Sequence, residues 1–193
     1  KANAKTEISK LVGLTEAEGL KAQEEIEKAT TVEEVTKALE AARLLSESNL
    51  AKEEAKKLEE AKINAISQIT DLEGLTEAEG LKAQEEIEKA KTVEEVTKAL
   101  ESAKELSESN LAKDNAKKLQ DAKTNAKTEI SKLVGLTEAE GLKAQEEIEK
   151  ATTVEEVTKA LEAAKALSES NLAKDEAKKL EQAKIDATTE ISE

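Results

Sequence analysis

The sequence predicts an all-α protein, built as tandem three-helix-bundle repeats joined by continuous inter-repeat helices into an elongated rod. Three observations predict it. The string LTEAEGLKAQEEIEKA starts at Leu14, Leu75 and Leu136, 61 residues apart each time, and self-similarity at a fixed period marks a repeat architecture. Within each copy, helix-opening signals precede apolar residues at helical spacing. Between one copy and the next, no Gly, Pro or turn cluster interrupts the helical pattern.

The copies run over residues 1–61, 62–122 and 123–183, and residues 184–193, KIDATTEISE, match the opening KANAKTEISK as the start of a fourth. The first and third copies differ at five places: Ala2/Thr124, Arg43/Lys165, Leu44/Ala166, Glu53/Asp175 and Glu60/Gln182. The middle copy has drifted further, mostly around its start. This partial fourth copy, with no initiator Met and no signal peptide, leads us to expect a segment of a longer array.

In the first copy, Thr15 and Glu18 form the capping box T-x-x-E, in which hydroxyl and carboxylate satisfy each other's unpaired backbone amides. A first helix should follow from about Glu16 to Ala29, with Gly19, Ala22, Ile26 and Ala29 as its inward stripe. Thr31 and Glu34 make a second capping box, opening a helix from Val32 to about Leu45 with Val32, Val35, Leu39 and Ala42 inward, widened by Ala38 and Leu45. Ser46-Glu47-Ser48-Asn49 reads as the next turn and cap, with a third helix starting near Leu50. From Leu50 to Leu72 nothing breaks the pattern, and the stripe Leu58, Ala61, Ala65, Ile69, Leu72 passes through the copy boundary. The same holds for Leu119, Ala122, Ala126, Ile130 and Leu133. The end of one copy and the start of the next should therefore be one helix of roughly 23 residues, about 35 Å long.

All six glycines occupy two positions of the repeat. Gly13, Gly74 and Gly135 sit where a helix must stop, and a left-handed C-cap explains them. Gly19, Gly80 and Gly141 lie on the inward stripe, where a bare backbone would let a neighbouring helix approach closely.

The composition narrows the chemistry. The 193 residues include no Phe, Trp, Tyr, Met, Cys, His or Pro. Leu, Ile and Val make up only about a fifth of the chain, close to the level at which highly charged sequences stay disordered, so patterning carries the case for folding. The core should be thin and rich in Ala, each module modestly stable alone and supported by its neighbours. Without His or Cys there is no ordinary base, thiol nucleophile or ligand for zinc, copper or haem iron. The net charge of -14 has the wrong sign for nucleic acid or anionic lipid. No apolar run approaches the roughly 20 residues that span a bilayer.

The five Asp residues, Asp71, Asp114, Asp121, Asp175 and Asp186, are too scattered for a calcium loop. Glu residues mostly have Lys three or four places away, as Glu24 with Lys28 or Glu53 with Lys57, which makes solvated helix-face pairs. Ser46 and Ser48 have no base to activate them. No catalytic, cofactor-binding or metal-binding residue is expected, and no cofactor. A heptad coiled coil is disfavoured because 61 is not a multiple of seven and Gly and Thr interrupt any seam.

The stretch LVGLTEAEGLKAQEEIEKATTVEEVTKALEAARLL at 11–45 resembles the GA module, a three-helix albumin-binding type of domain, and more closely the GA-like repeats of Gram-positive wall-anchored surface proteins. Leu11, Gly13, Leu14, Thr15, Ala17, Ile26, Ala29, Thr31, Val35, Ala42 and Leu45 carry the resemblance. Most are core and cap positions, so it speaks to fold and setting more than to a ligand. The resemblance implies an extracellular, cell-wall-anchored protein. It also places the family's albumin surface around the Val32–Leu45 helix and its junction with the next. Here that outer face reads Glu33, Glu34, Thr36, Lys37, Glu40 and Arg43, with no aromatic anchor. No residue carries over as an albumin contact.

Two functions follow as expectations. In the first, the modules are a non-catalytic stalk, a monomeric spacer of a bacterial adhesin that holds a distal binding region away from the cell wall. In the alternative, they are tandem weak-binding modules for a host plasma or extracellular-matrix protein such as albumin, with avidity from repetition. An exposed apolar patch recurring every 61 residues would favour the second. Leu44 is a candidate, but Glu105 and Ala166 replace it in the other copies, which favours the spacer.

Overall fold

A computed structural model describes the backbone of residues 1–192 and side chains as far as Thr188. Among the described residues the regular structure is helical: α1 (Ala2–Ile8), α2 (Glu16–Lys28), α3 (Val32–Thr70), α4 (Glu77–Lys89), α5 (Val93–Ile130), α6 (Glu138–Lys150) and α7 (Val154–Ser192). The chain divides into two compact units, Lys1–Glu108 and Ser109–Glu193, and the division falls within α5.

The first unit holds two cores. Ile8, Ile26 and Ala42 centre one, with Leu11, Leu14, Val35 and Leu39 packed around them. The other gathers Ala65, Ile69, Ile87, Val96 and Ala103, flanked by Leu58, Leu72 and Leu75. Thus α3 serves twice: its first half closes the bundle of α1 and α2, and its second half opens the bundle of α4 and the start of α5. The second unit repeats the pattern, with Ala126, Ile130, Ile148, Val157 and Ala164 at its centre. Ile26, Ile87 and Ile148 are fully buried, and each is the largest buried side chain its short helix contributes to a core of Ala, Ile and Val ringed by Leu.

The capping boxes form as the sequence requires. The Thr15 hydroxyl accepts from the Glu18 N–H at 3.3 Å, while the Glu18 carboxylate accepts from the Thr15 N–H at 2.8 Å. Thr76 with Glu79 and Thr137 with Glu140 repeat the arrangement, and Thr31 with Glu34 caps α3 the same way. At the other end of the short helices a lysine from the preceding helix meets the unpaired carbonyls. Lys1 donates to the Glu27 carbonyl at 2.9 Å, Lys62 to Glu88 at 2.6 Å and Lys123 to Glu149 at 2.6 Å, a cation at the negative end of each helix dipole.

Four expectations need correction. Ser46-Glu47-Ser48-Asn49 is not a turn: α3 continues through it, so the separate helices expected on either side are one helix of 39 residues, about 58 Å long at 1.5 Å per residue. Ser and Asn are poor helix formers but do not break a helix as Gly or Pro do, and here their side chains have partners. Second, Gly13 is not a left-handed cap, because no glycine has positive φ. A Cβ at Gly13 would lie 2.1 Å from the Ser46 carbonyl oxygen, and at Gly74 and Gly135 it would meet Ser107 and Ser168 at 2.1 and 2.2 Å. Close backbone contact therefore selects these glycines. Third, Gly19, Gly80 and Gly141, expected at a close helix approach, have nothing within 4 Å of a built Cβ.

Fourth, Val32 is not part of the core. It is 84% exposed, against 44% for Val93 and Val154. Those two stand beside the second half of the preceding long helix, at clefts shared with Ala55 and Leu58 or with Ala116 and Leu119.

The two glycine sets should respond oppositely to a methyl group. Gly13→Ala should destabilise the chain by about 1–3 kcal/mol through overpacking, whereas Gly19→Ala should stabilise it by about 0.5–1 kcal/mol through helix propensity. Urea unfolding followed by circular dichroism of each variant measures both.

Candidate functional site

Three features could meet a partner or position something that does. The first is a latch between the loop after α1 and the middle of α3. The Gly13 N–H donates to the Ser46 hydroxyl at 3.1 Å, and the Asn49 side-chain amide donates to the Gly13 carbonyl at 2.9 Å and to the Glu18 carboxylate at 3.1 Å. Ser46, Ser107 and Ser168 are the buried polar residues among those described, at 4%, 2% and 4% exposure. Gly74 donates to Ser107 at 3.1 Å and Gly135 to Ser168 at 3.1 Å, and Asn171 holds the Gly135 carbonyl at 2.9 Å. With both backbone groups of the loop glycine paired, this tight crossing leaves no buried polar side-chain atom unsatisfied. In this latch the Ser46 hydroxyl accepts the loop N–H, while the Asn49 amide joins the loop carbonyl to the capping carboxylate of α2.

Second, a cleft of about 790 Å³ lies between α2 and the first half of α3. Its floor is Ala22, Ala38, Ala41, Ala42 and Leu45, and its rims alternate Glu18, Glu25 and Glu34 with Lys21, Lys28 and Lys37. Such a trough offers apolar contact and balanced charge, but no converging set of polar groups. The residues Glu33, Glu34, Thr36, Lys37, Glu40 and Arg43 are exposed on α3, as the sequence implied.

The third feature escaped sequence reasoning. Leu20, Leu81 and Leu142 are exposed at 57%, 60% and 59%, at one position of the repeat. Leu20 and Leu81 each rim a cleft, of about 210 and 280 Å³, beside Gly19 and Gly80 respectively. In the first of these, Ile8, Leu11 and Leu14 also line the cleft. The signal was available: these are leucines identical in all copies yet off the inward stripe. Leu44, the candidate taken from sequence, is exposed at 66% in the first copy alone.

No group of three or more His, Cys, Asp or Glu among the described residues is arranged to hold a metal ion, and no helix is long and apolar enough to cross a membrane. Interhelical charge pairs are exposed and worth about 0–1 kcal/mol each. One such contact is kept in all copies with changed residues: Arg43 pairs with Glu7 and Lys165 with Glu129, while Lys104 donates at 2.8 Å to Gln68, which stands in place of the glutamate.

The capping carboxylates are perturbed titratable groups tied to the fold, as are Glu27 and Glu149, which are lowered by Lys5 and Lys127 of the neighbouring helices. Glu18 is held below the ordinary glutamate value, first by the hydrogen bond from the Thr15 N–H, then by the Thr15 hydroxyl and the Asn49 amide. Glu34 is lowered by the Thr30 N–H and hydroxyl and the Thr31 N–H, and Glu140 and Glu156 follow the same pattern. A carboxylate whose folded pKa is depressed adds stability above its unfolded pKa, and loses it as pH falls through the folded value. The melting midpoint should therefore drop as pH is lowered from about 5 to about 3, and the drop should be shallower in Glu18→Gln. Thermal melts across that range test this, and equal slopes in the two proteins would contradict it.

Comparison with known families fits this geometry. The GA module family model matches three times, over residues 1–48, 55–109 and 116–170. Each match takes in the short helix (α2, α4 or α6) and the start of the long helix after it, the segments that the latch and the capping boxes tie together. No curated protein matches the chain. With three matches covering most of its length, the chain belongs to the GA module family.

Proposed function

We propose that this chain is a non-catalytic spacer segment of a Gram-positive cell-surface adhesin, holding a distal binding region away from the cell wall. The observation that carries this reading is α3, which runs from Val32 to Thr70 without interruption and is built into two successive cores. A helix shared by two bundles leaves no flexible linker between them, and resistance to bending is what a spacer requires. The exposed outer face of α3 supports the reading too, since it is charged and carries no aromatic anchor of the kind that concentrates binding energy. Near-identity between copies suits a role in which modules are added or lost without harm. The family setting supports a location outside the cell.

A second reading has its own observation. The leucine row at Leu20, Leu81 and Leu142, the most exposed of the leucine positions that recur in all three copies, is a feature that tandem weak binding of a host plasma or matrix protein would use, with avidity from repetition. Albumin, the ligand type associated with GA modules, is the direct probe.

Isothermal titration of the chain with serum albumin separates the two. The spacer reading expects no binding heat at about 100 μM of each protein. Micromolar or tighter binding that is lost in the Leu20→Glu, Leu81→Glu, Leu142→Glu triple variant would replace it with the binding reading.

A further inference from the structure

We infer that α5 carries a local opening point: its backbone from Ala112 to Lys118 unwinds transiently in the folded chain, more readily than the matching stretch of α3 from Ala51 to Lys57. Both stretches lie between the apolar stripes of a long helix. Every residue of both is exposed, so neither is held by a core. Each faces an open cleft, of about 530 Å³ beside α3 and about 440 Å³ beside α5, with Val93 or Val154 among its lining residues at the same 44% exposure. Tertiary support is therefore alike in the two places. What keeps either stretch helical is its own sequence, and a stretch held only by its own helix opens as often as its local bonds allow.

The sequences differ at this point. Residues 50–60 read LAKEEAKKLEE, and residues 111–121 read LAKDNAKKLQD. Asp114 and Asn115 replace Glu53 and Glu54. Glutamate is a good helix former, whereas the short polar side chains of Asp and Asn compete for nearby backbone groups and favour non-helical conformations.

The supporting ion pairs change as well. In α3, Lys57 meets Glu53 at 2.8 Å and Lys56 meets Glu60 at 3.8 Å, each one turn apart. At the same positions of α5 stand Asp114 and Asp121, one methylene shorter, and among the described residues neither pairs with Lys118 or Lys117. The boundary between the two compact units also falls next to this stretch, at Glu108 and Ser109, and not in α3. Unwinding here costs neither adjoining core a contact, so it gives the chain a place that yields before α3 does. The inference is independent of the spacer reading, because a binder built on this sequence would open at the same place.

Amide hydrogen exchange of the full chain tests it, read by mass spectrometry on peptides spanning 50–58 and 111–119, which differ in mass. After correction for intrinsic exchange rates, protection over 112–118 should be about five-fold lower than over 51–57, the combined effect of two weaker helix formers and the lost pairs. The double substitution Asp114→Glu, Asn115→Glu should raise protection in α5 most of the way to that of α3. The reverse pair, Glu53→Asp with Glu54→Asn, should lower protection in α3 by a similar factor. Amides around the buried Ile87 and Ile148 should be unchanged in both variants, which separates local opening from a loss of global stability. Equal protection of the two stretches in the unaltered chain, or variants in which the difference stays where it was, would overturn the inference.

Discussion

Everything in the first unit depends on one helix belonging to two cores. The first half of α3 points Val35, Leu39, Ala42 and Ser46 at α1 and α2, and its second half points Leu58, Ala65 and Ile69 at α4 and α5. At 3.6 residues per turn, the two stripes lie about 120° apart around the helix axis. The helix as a whole therefore has no single apolar face, yet each half is amphipathic toward its own bundle. Because the backbone hydrogen bonds run unbroken between the halves, the orientation of one bundle constrains the other. The stretch between the stripes, from Asn49 to Lys57, is held by helix propensity and by exposed i,i+4 pairs such as Glu53 with Lys57.

The latch makes this sharing compatible with so small a core. Without aromatic side chains, each bundle must bring its backbones close together. At Gly13 the loop lies against the Ser46 carbonyl, where a single added carbon would have no room. Burying that crossing would strand polar groups unless they were paired, and Ser46 and Asn49 pair both the N–H and the carbonyl of Gly13. Asn49 also reaches Glu18, so the latch joins the capping box of α2 to the middle of α3. The start of one helix, the loop before it and the continuity of another are thus one connected set of hydrogen bonds.

Much of this was legible in the sequence, and the misses share a cause. The capping boxes were readable because they are local: Thr15 and Glu18 lie within one turn, and their spacing alone specifies the contact. The stripe from Leu58 to Leu72 was readable because periodicity survives without knowing the partner. Ser46-Glu47-Ser48-Asn49 misled because Ser and Asn have the same chemistry whether they cap a helix or accept a loop from 33 residues away, and only the long-range partner tells which. Both glycine sets were misread for the same reason: the close approach expected at Gly19 lies at Gly13, and neither set is a left-handed cap. A missing side chain is visible in sequence, but what stands opposite it is not. Val32 adds a third case: it lies in the helix assigned to it, but outside the core.

The functional reading inherits this balance. Membership of the GA module family agrees with the caps, the cores and the period, while the residues that vary between copies, such as Leu44, Glu105 and Ala166, lie on exposed or rim positions. A spacer needs its modules locked in register, and locking is what the shared helix and the latch provide. The direct test is a spin-label distance measurement across the seam between the first two cores, with Cys introduced at the exposed positions Glu40 and Ser67 of α3. An unbroken helix predicts one narrow distribution corresponding to a backbone separation of about 40 Å. A broad distribution, or one shifted to markedly shorter distances, would mean that α3 bends or breaks between its two cores, and would contradict the account.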